Sequence, residues 1–312
     1  MENEQATQQK NDELREIMKS WIDNVFKPYY EGESKKYRDE KNVDLSCPFY
    51  FALSDKYVQW ENGKKRLMIV GQEPRGFGSW SKDNEKPGYE GKTSQDWAQT
   101  FLDAQLKKTA KISSFNKDEG EPYKCEPLYS PFWDFVRKLN EKFVVCWNNV
   151  DKVYFTNGVN TDREDNSDET GHKKDYPKET LTYEAETHLS KRFDHNGENK
   201  SLLWREIKIA DPDAIVFAIG PYYAVSLDVA LGITEKNYTG LIESALKKVS
   251  ELFKGEDNPT QEKFIVENDL LTRAVEEILG REIPVFWTYH PGALQRSKKM
   301  DCVIERINKV AK

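Results

Sequence analysis

The chain is 312 residues long, with 47 Lys and Arg against 54 Asp and Glu, a formal net charge of −7 and a mean hydropathy of −0.83. That length can bury one sizeable core, while a charged fraction of 32% implies an extensive hydrated surface. No run approaches the roughly 18 apolar residues of a membrane span, and the acidic balance argues against a protein that grips polyanions through its overall charge.

The opening Met1-Glu2-Asn3-Glu4-Gln5 has neither the basic region nor the apolar run of a signal peptide, which predicts a cytoplasmic protein. Cys47, Cys125, Cys146 and Cys302 are scattered without a Cys-x-x-Cys pair, so the spacing predicts reduced thiols and no metal.

In chain order, residues from about Gln5 to Lys27 read as an amphipathic helix, with Leu14, Ile17, Met18, Trp21, Ile22, Val25 and Phe26 on one face. This is expected to be an N-terminal helical extension, about 5–28, laid against the core. Leu67 to Val70 predicts a buried strand, and the following Gly71 a turn that a side chain would obstruct. A loop rich in Gly, Pro, Lys and Asp covers Gly76 to Gly91, and a helix is expected from Ser94, with Trp97, Phe101, Leu102 and Leu106 inward. Ser130 and Pro131 read as the N-cap and first-turn proline of a helix reaching Leu139.

Val153 to Thr156 predicts a second strand delivering Asn157 and Gly158 to its end. A polar surface insertion follows, about 161–200. A helix near Leu202 to Ile209, a break at Asp211-Pro212 and a buried strand from Ala214 to Ile219 come next, closed by Gly220-Pro221. A second charged insertion, about 232–268, is partly helical near Leu241 to Phe253. A helix near Leu270 to Leu279 leads to a last strand, Pro284 to Thr288, and a helix from about Met300 to Val310.

Short apolar strands alternating with helices predict a single α/β domain over residues 1–312, a three-layer αβα sandwich on a central, mostly parallel four-stranded sheet. Polar residues collect just past three strand ends, at Gln72, Asn157 and His290. In open α/β sheets that edge binds ligands.

Five segments carry a family pattern in order: Gly71-Gln72-Glu73-Pro74, then Gly88-Tyr89-Glu90-Gly91-Lys92-Thr93-Ser94-Gln95, Tyr154 to Val159, Pro212 to Gly220, and His290-Pro291-Gly292-Ala293-Leu294. The chain resembles the uracil-DNA glycosylase superfamily in these blocks. The first is similar to its water-activating loop and the last to its His-Pro-Ser-Pro-Leu loop. The resemblance implies a hydrolase that cuts the N-glycosidic bond of a flipped uracil or other deaminated base in damaged DNA, using no cofactor.

By that resemblance Glu73 orients water and stabilises a cationic sugar, and His290 donates a hydrogen bond, as a neutral imidazole, to the base carbonyl. Asn157 reads the base through its amide. Tyr89 stacks on it, with Trp80 and Phe77 as alternatives in the same loop. Gly71, Gln72 and Pro74 bring backbone close to the base. Leu294 corresponds to the residue that wedges into the duplex, followed by Arg296, Ser297 and Lys298 as phosphate contacts. Arg75 stands where the best-studied branch has a tyrosine that excludes thymine, and is a candidate phosphate contact instead. Glu73 is also one methylene longer than that branch's aspartate. Two other readings stay open. One is a non-catalytic relative that binds a nucleobase, nucleotide or nucleic acid, favoured by the acidic charge and by Arg75-Gly76. The other is an α/β domain whose charged insertions bind a protein partner.

Overall fold

The computed structural model describes residues 2–41, 43–59, 63–72, 80, 95, 98, 101–103, 105–106, 130–157, 183–220, 223–233, 265–267 and 269–311. From Glu2 the chain is helical almost continuously, through an α-helix Glu2–Trp21, a π-helical turn Ile22–Phe26, and α-helices Lys27–Glu31 and Glu33–Lys41. Pro28 lies inside this helical run, just after the π-helical turn; it has no N–H to add to the ladder, and the Lys27 amide before it bonds to the Ile22 carbonyl in the wider π pattern. The seven apolar residues that share a face, Leu14 to Phe26, are each at most 3% exposed. Side chains also bind this segment to distant backbone. Trp21 Nε1 donates to the Leu189 carbonyl at 3.0 Å, Lys10 Nζ to that of Ile209 at 2.6 Å, and Asn11 Nδ2 to that of Leu53 at 3.0 Å.

The remaining elements follow in order as β1 (Val43–Leu45), a helix Asp55–Gln59, β2 (Arg66–Gly71), a helix Pro131–Asn140, β3 (Val144–Asn149), β4 (Phe155–Asn157) and a helix Tyr183–Leu189. Then come a hairpin of β5 (Phe193–His195) and β6 (Glu198–Lys200), a helix Leu202–Ala210, β7 (Ala214–Phe217) and a helix Ala224–Leu231. The chain finishes with β8 (Ile265–Glu267), a helix Asp269–Leu279, β9 (Val285–Thr288) and helices Pro291–Arg296 and Met300–Val310.

The central sheet has the order β3-β2-β7-β9-β8. Its first four strands run parallel, and β8 joins β9 antiparallel at the edge. Residues Leu67 to Val70 and Ala214 to Phe217 are all 0% exposed, because helices cover both faces; this is why these strands are unbroken apolar runs. Helix Pro131–Asn140 packs with the two C-terminal helices, tied to the last by Lys138 Nζ on Asp301 at 2.7 Å. Helices Glu2–Trp21, Ala224–Leu231 and Asp269–Leu279 pack with Leu202–Ala210. The fold is therefore α/β with a parallel central sheet and flanking helices. No helix of the described residues is long and apolar enough to cross a membrane.

Sheet membership differs from the sequence expectation at two strands: β8 adds a fifth, antiparallel strand at the edge, and one expected strand lies elsewhere. The Val153–Thr156 segment does not enter the central sheet: β4 pairs antiparallel with β1, Val43 opposite Asn157. The place beside β2 belongs to β3, aligned from Arg66 opposite Val144 to Gly71 opposite Asn149. Past that strand the Val150 and Asp151 amides still bond to the carbonyls of Gly71 and Gln72, at 2.9 and 3.0 Å, before the chain turns away towards β1. The two expected insertions also contain core structure. Ala185, Leu189 and Phe193 are at most 6% exposed, so the end of the first insertion contributes to the core, although the hairpin beyond Phe193 is mostly exposed, and β8 lies within the second. Residues 158–182 and 234–264 lie outside the described residues.

Candidate functional site at the carboxyl edge of the sheet

The four parallel strands end at one edge, and small residues there let neighbouring chains close up. A Cβ placed on Gly71 would lie 2.8 Å from Asn149 Oδ1 and 3.1 Å from the Phe132 ring. Gly71 is not among the residues with positive φ, so close approach, not a special turn, is what requires glycine there. A Cβ on Gly220, just beyond β7, would lie 3.6 Å from the His290 amide nitrogen and 4.0 Å from Gln72 Nε2. Gln72 itself donates to the Ile219 carbonyl at 2.7 Å, joining the ends of β2 and β7. Gly71→Ala is expected to destabilise the fold by about 1–3 kcal/mol and to push Asn149 and Phe132 apart. A urea midpoint unchanged from the parent's would contradict this close packing.

His290 lies two residues past β9 and caps the helix Pro291–Arg296. Its Nδ1 accepts from the Gly292 amide at 3.1 Å, with Pro291 in the first turn. Accepting at Nδ1 assigns the ring proton of neutral imidazole to Nε2, which makes Nε2 a donor. The ring lies nearly parallel to Phe132, with centroids 6.1 Å apart at 15°. Phe132 is half-buried and is held by its place at the start of a capped helix, where Ser130 accepts from the Trp133 amide at 3.3 Å. Trp147, on β3, backs it at 6.3 Å and packs on Trp133 at 4.8 Å.

Asn149 is 2% exposed, and its Nδ2 has no hydrogen-bond partner among the described residues. A buried, unsatisfied amide donor costs on the order of 1–3 kcal/mol, so its position beside Gly71 and Phe132 marks a place where a ligand acceptor would be stabilising. Asn148 alternates to the opposite face of the strand. There its Nδ2 donates to Glu206 Oε2 at 2.9 Å, and its Oδ1 accepts from Lys152 Nζ, which is itself 2.8 Å from Glu206. Burial pushes the Lys152 ammonium down and the Glu206 carboxyl up, each opposed by the other's charge.

The structure thus gathers Gly71, Gln72 and His290 at one edge, as the sequence indicates. Glu73, Pro74, Arg75 and Tyr89 lie outside the described residues. Asn157 sits on β4, apart from the central sheet, and the asparagine delivered to the edge is Asn149. Leu294 requires a correction too: it is 0% exposed, whereas a residue that wedges into a duplex must stand out from the surface. Ser297 spends its hydroxyl proton on the helix, with Ala293 O at 2.9 Å and Leu294 O at 3.1 Å. Arg296 and Lys298 are exposed and make no ion pair among the described residues. Phe132 and Asn149 escaped the sequence reading. The signal for Asn149 was the apolar run Val144 to Trp147 ending in two asparagines; Phe132 carried none beyond its place on a helix.

No protein-family model matches this chain, and neither a curated protein nor a solved structure does.

Proposed function

We propose that the chain is a DNA glycosylase that takes an everted uracil, or another deaminated base, against the carboxyl edge of its sheet and hydrolyses the bond from base to sugar. The observation that carries this reading is one cluster holding a neutral imidazole donor, an amide with an unused donor and a half-buried aromatic face. A departing uracil gains negative charge on its carbonyl oxygen, and the Nε2–H of His290 is a donor suited to that charge. In this reading Asn149 takes the base-reading role first assigned to Asn157, because an amide pairs with both a donor and an acceptor on the uracil edge and is frustrated by the amino group of cytosine. Phe132 offers a stacking face, an interaction of about 1–3 kcal/mol per base. Glu73, next in the chain after Gln72, keeps the water-orienting role, and Arg296 and Lys298 contact phosphate.

The net charge of −7 favours a second reading, a protein that binds a nucleobase at this edge without cutting DNA. Single- and double-stranded oligonucleotides carrying uracil, incubated with the protein and treated with alkali, separate the two. The glycosylase reading expects strand breaks at uracil, with His290→Ala slowing them by about 10²–10³-fold and Glu73→Gln abolishing them. Binding of free uracil without breaks would leave the second reading standing. Neither cleavage nor binding would remove both.

A further inference from the structure

We propose that Lys152 and Glu206 are positioning residues, which act across the sheet by fixing Asn148 so that Asn149 is held at the edge cluster. The role of Asn149 in that cluster rests on the function proposed above; the positioning itself does not.

Among the described residues β3 is the outermost strand of the sheet, with β2 as its one neighbour. The Val144 and Val150 amides both bond towards β2, to Lys65 O and Gly71 O. Alternation along a strand then turns the Asn149 amide away from β2, to a side with no ladder partner among the described residues. Its acceptor is the side chain of Asn148, with Oδ1 at 2.8 Å. The Asn149 N–H can be accepted only by the oxygen end of the Asn148 amide, and that orientation is held from two further sides. The Lys152 ammonium requires an oxygen beside it, and the Glu206 carboxylate requires an N–H, so both lock the amide in this orientation. Lys152, Asn148 and Glu206 are at most 4% exposed, so water cannot substitute for any of the three. The sequence of control runs from the Lys152–Glu206 pair to the Asn148 amide, to the Asn149 peptide, and so to the Asn149 side chain on the opposite face. Glu206 comes from helix Leu202–Ala210 and Phe132 from helix Pro131–Asn140, which makes the two sides of the sheet partners in one site.

The test uses the full chain with both members of the pair removed, Lys152→Met with Glu206→Leu, a change that leaves neither member of the pair buried without the other. Hydrogen exchange followed by NMR reads the network directly: the Asn149 amide is expected to exchange at least about tenfold faster, while the Ile69 and Val216 amides of the sheet interior keep the parent's protection. Unchanged exchange at Asn149, or an equal loss at all three amides, would overturn the positioning role whether or not the protein cuts DNA. Where uracil excision is present, the double change is expected to lower kcat by about tenfold in the parent and to have no further effect in an Asn149→Ala background. The same loss in both backgrounds would show a merely structural contribution and would also overturn the proposal. Accelerated exchange at Asn149 in a protein that excises nothing would support the positioning and count against the glycosylase reading alone.

Discussion

Asp228→Asn is expected to stabilise the protein by on the order of 4 kcal/mol at about pH 8 and to change little near pH 4. Asp228 is 0% exposed on the helix Ala224–Leu231, and neither carboxylate oxygen has a hydrogen-bond partner among the described residues. Burial pushes its pKa from the ordinary 3.8 up to about 7, because an ion without partners is poorly solvated in the interior. The folded chain therefore keeps this proton up to about pH 7, whereas the unfolded chain releases it near 3.8. Between those values the folded state binds more protons, so this group makes stability fall as pH rises, and the full cost is present above the window. Asparagine cannot ionise and removes that slope. Other carboxyls shift the opposite way, as burial-opposing bonds from Arg66 do for Asp213, so the quantity to measure is the difference between parent and variant in urea unfolding across the pH range. Parallel curves from pH 4 to pH 8 would mean that Asp228 is not a buried, unpartnered acid.

Glu206→Leu alone is expected to cost about 3–5 kcal/mol, and adding Lys152→Met to recover most of it. The glutamate change leaves the Lys152 ammonium in an interior where its own side chain is 3% exposed, with Asn148 and the Phe49 ring beside it and the charge of Asp151 as its remaining electrostatic partner. Removing both charges eliminates the desolvation penalty along with the attraction. The remaining deficit is the Asn148 Nδ2 donor, which loses its acceptor in both variants. A double-mutant cycle on denaturant midpoints reads the coupling. If the two single changes simply added, the ion pair would not be the unit described here.

Much of the architecture was legible because burial on both faces leaves an unmistakable trace. Leu67 to Val70 and Ala214 to Phe217 are apolar without alternation, and glycine or proline follows each closely. The helix opened by Ser130-Pro131 announced its own cap. What misled was local ambiguity. Val153 to Thr156 has good strand composition, yet pairing in the sheet is decided by tertiary partners, and β3 offers six residues to β2 where β4 has three. The error carried into the site, moving the edge asparagine from 149 to 157. Leu294 illustrates a second limit: a leucine in a short polar helix can face outwards or inwards, and only packing decides. Gln72 and His290 were recoverable because a strand end followed by a tight turn constrains both backbone and side chain. The partnership of Lys152 with Glu206 spans 54 positions and two elements, and no spacing rule links them.

The three bonds that fix the N-terminal helix have a consequence for how the chain matures. Their partners lie 42, 168 and 199 residues further along. During synthesis the apolar stripe from Leu14 to Phe26 leaves the ribosome long before Ile209 exists to receive it. Contacts so distant in sequence slow folding and leave greasy surface uncovered in the meantime. Until residue 209 has emerged, the stripe is without the last of the elements that hold this helix in place.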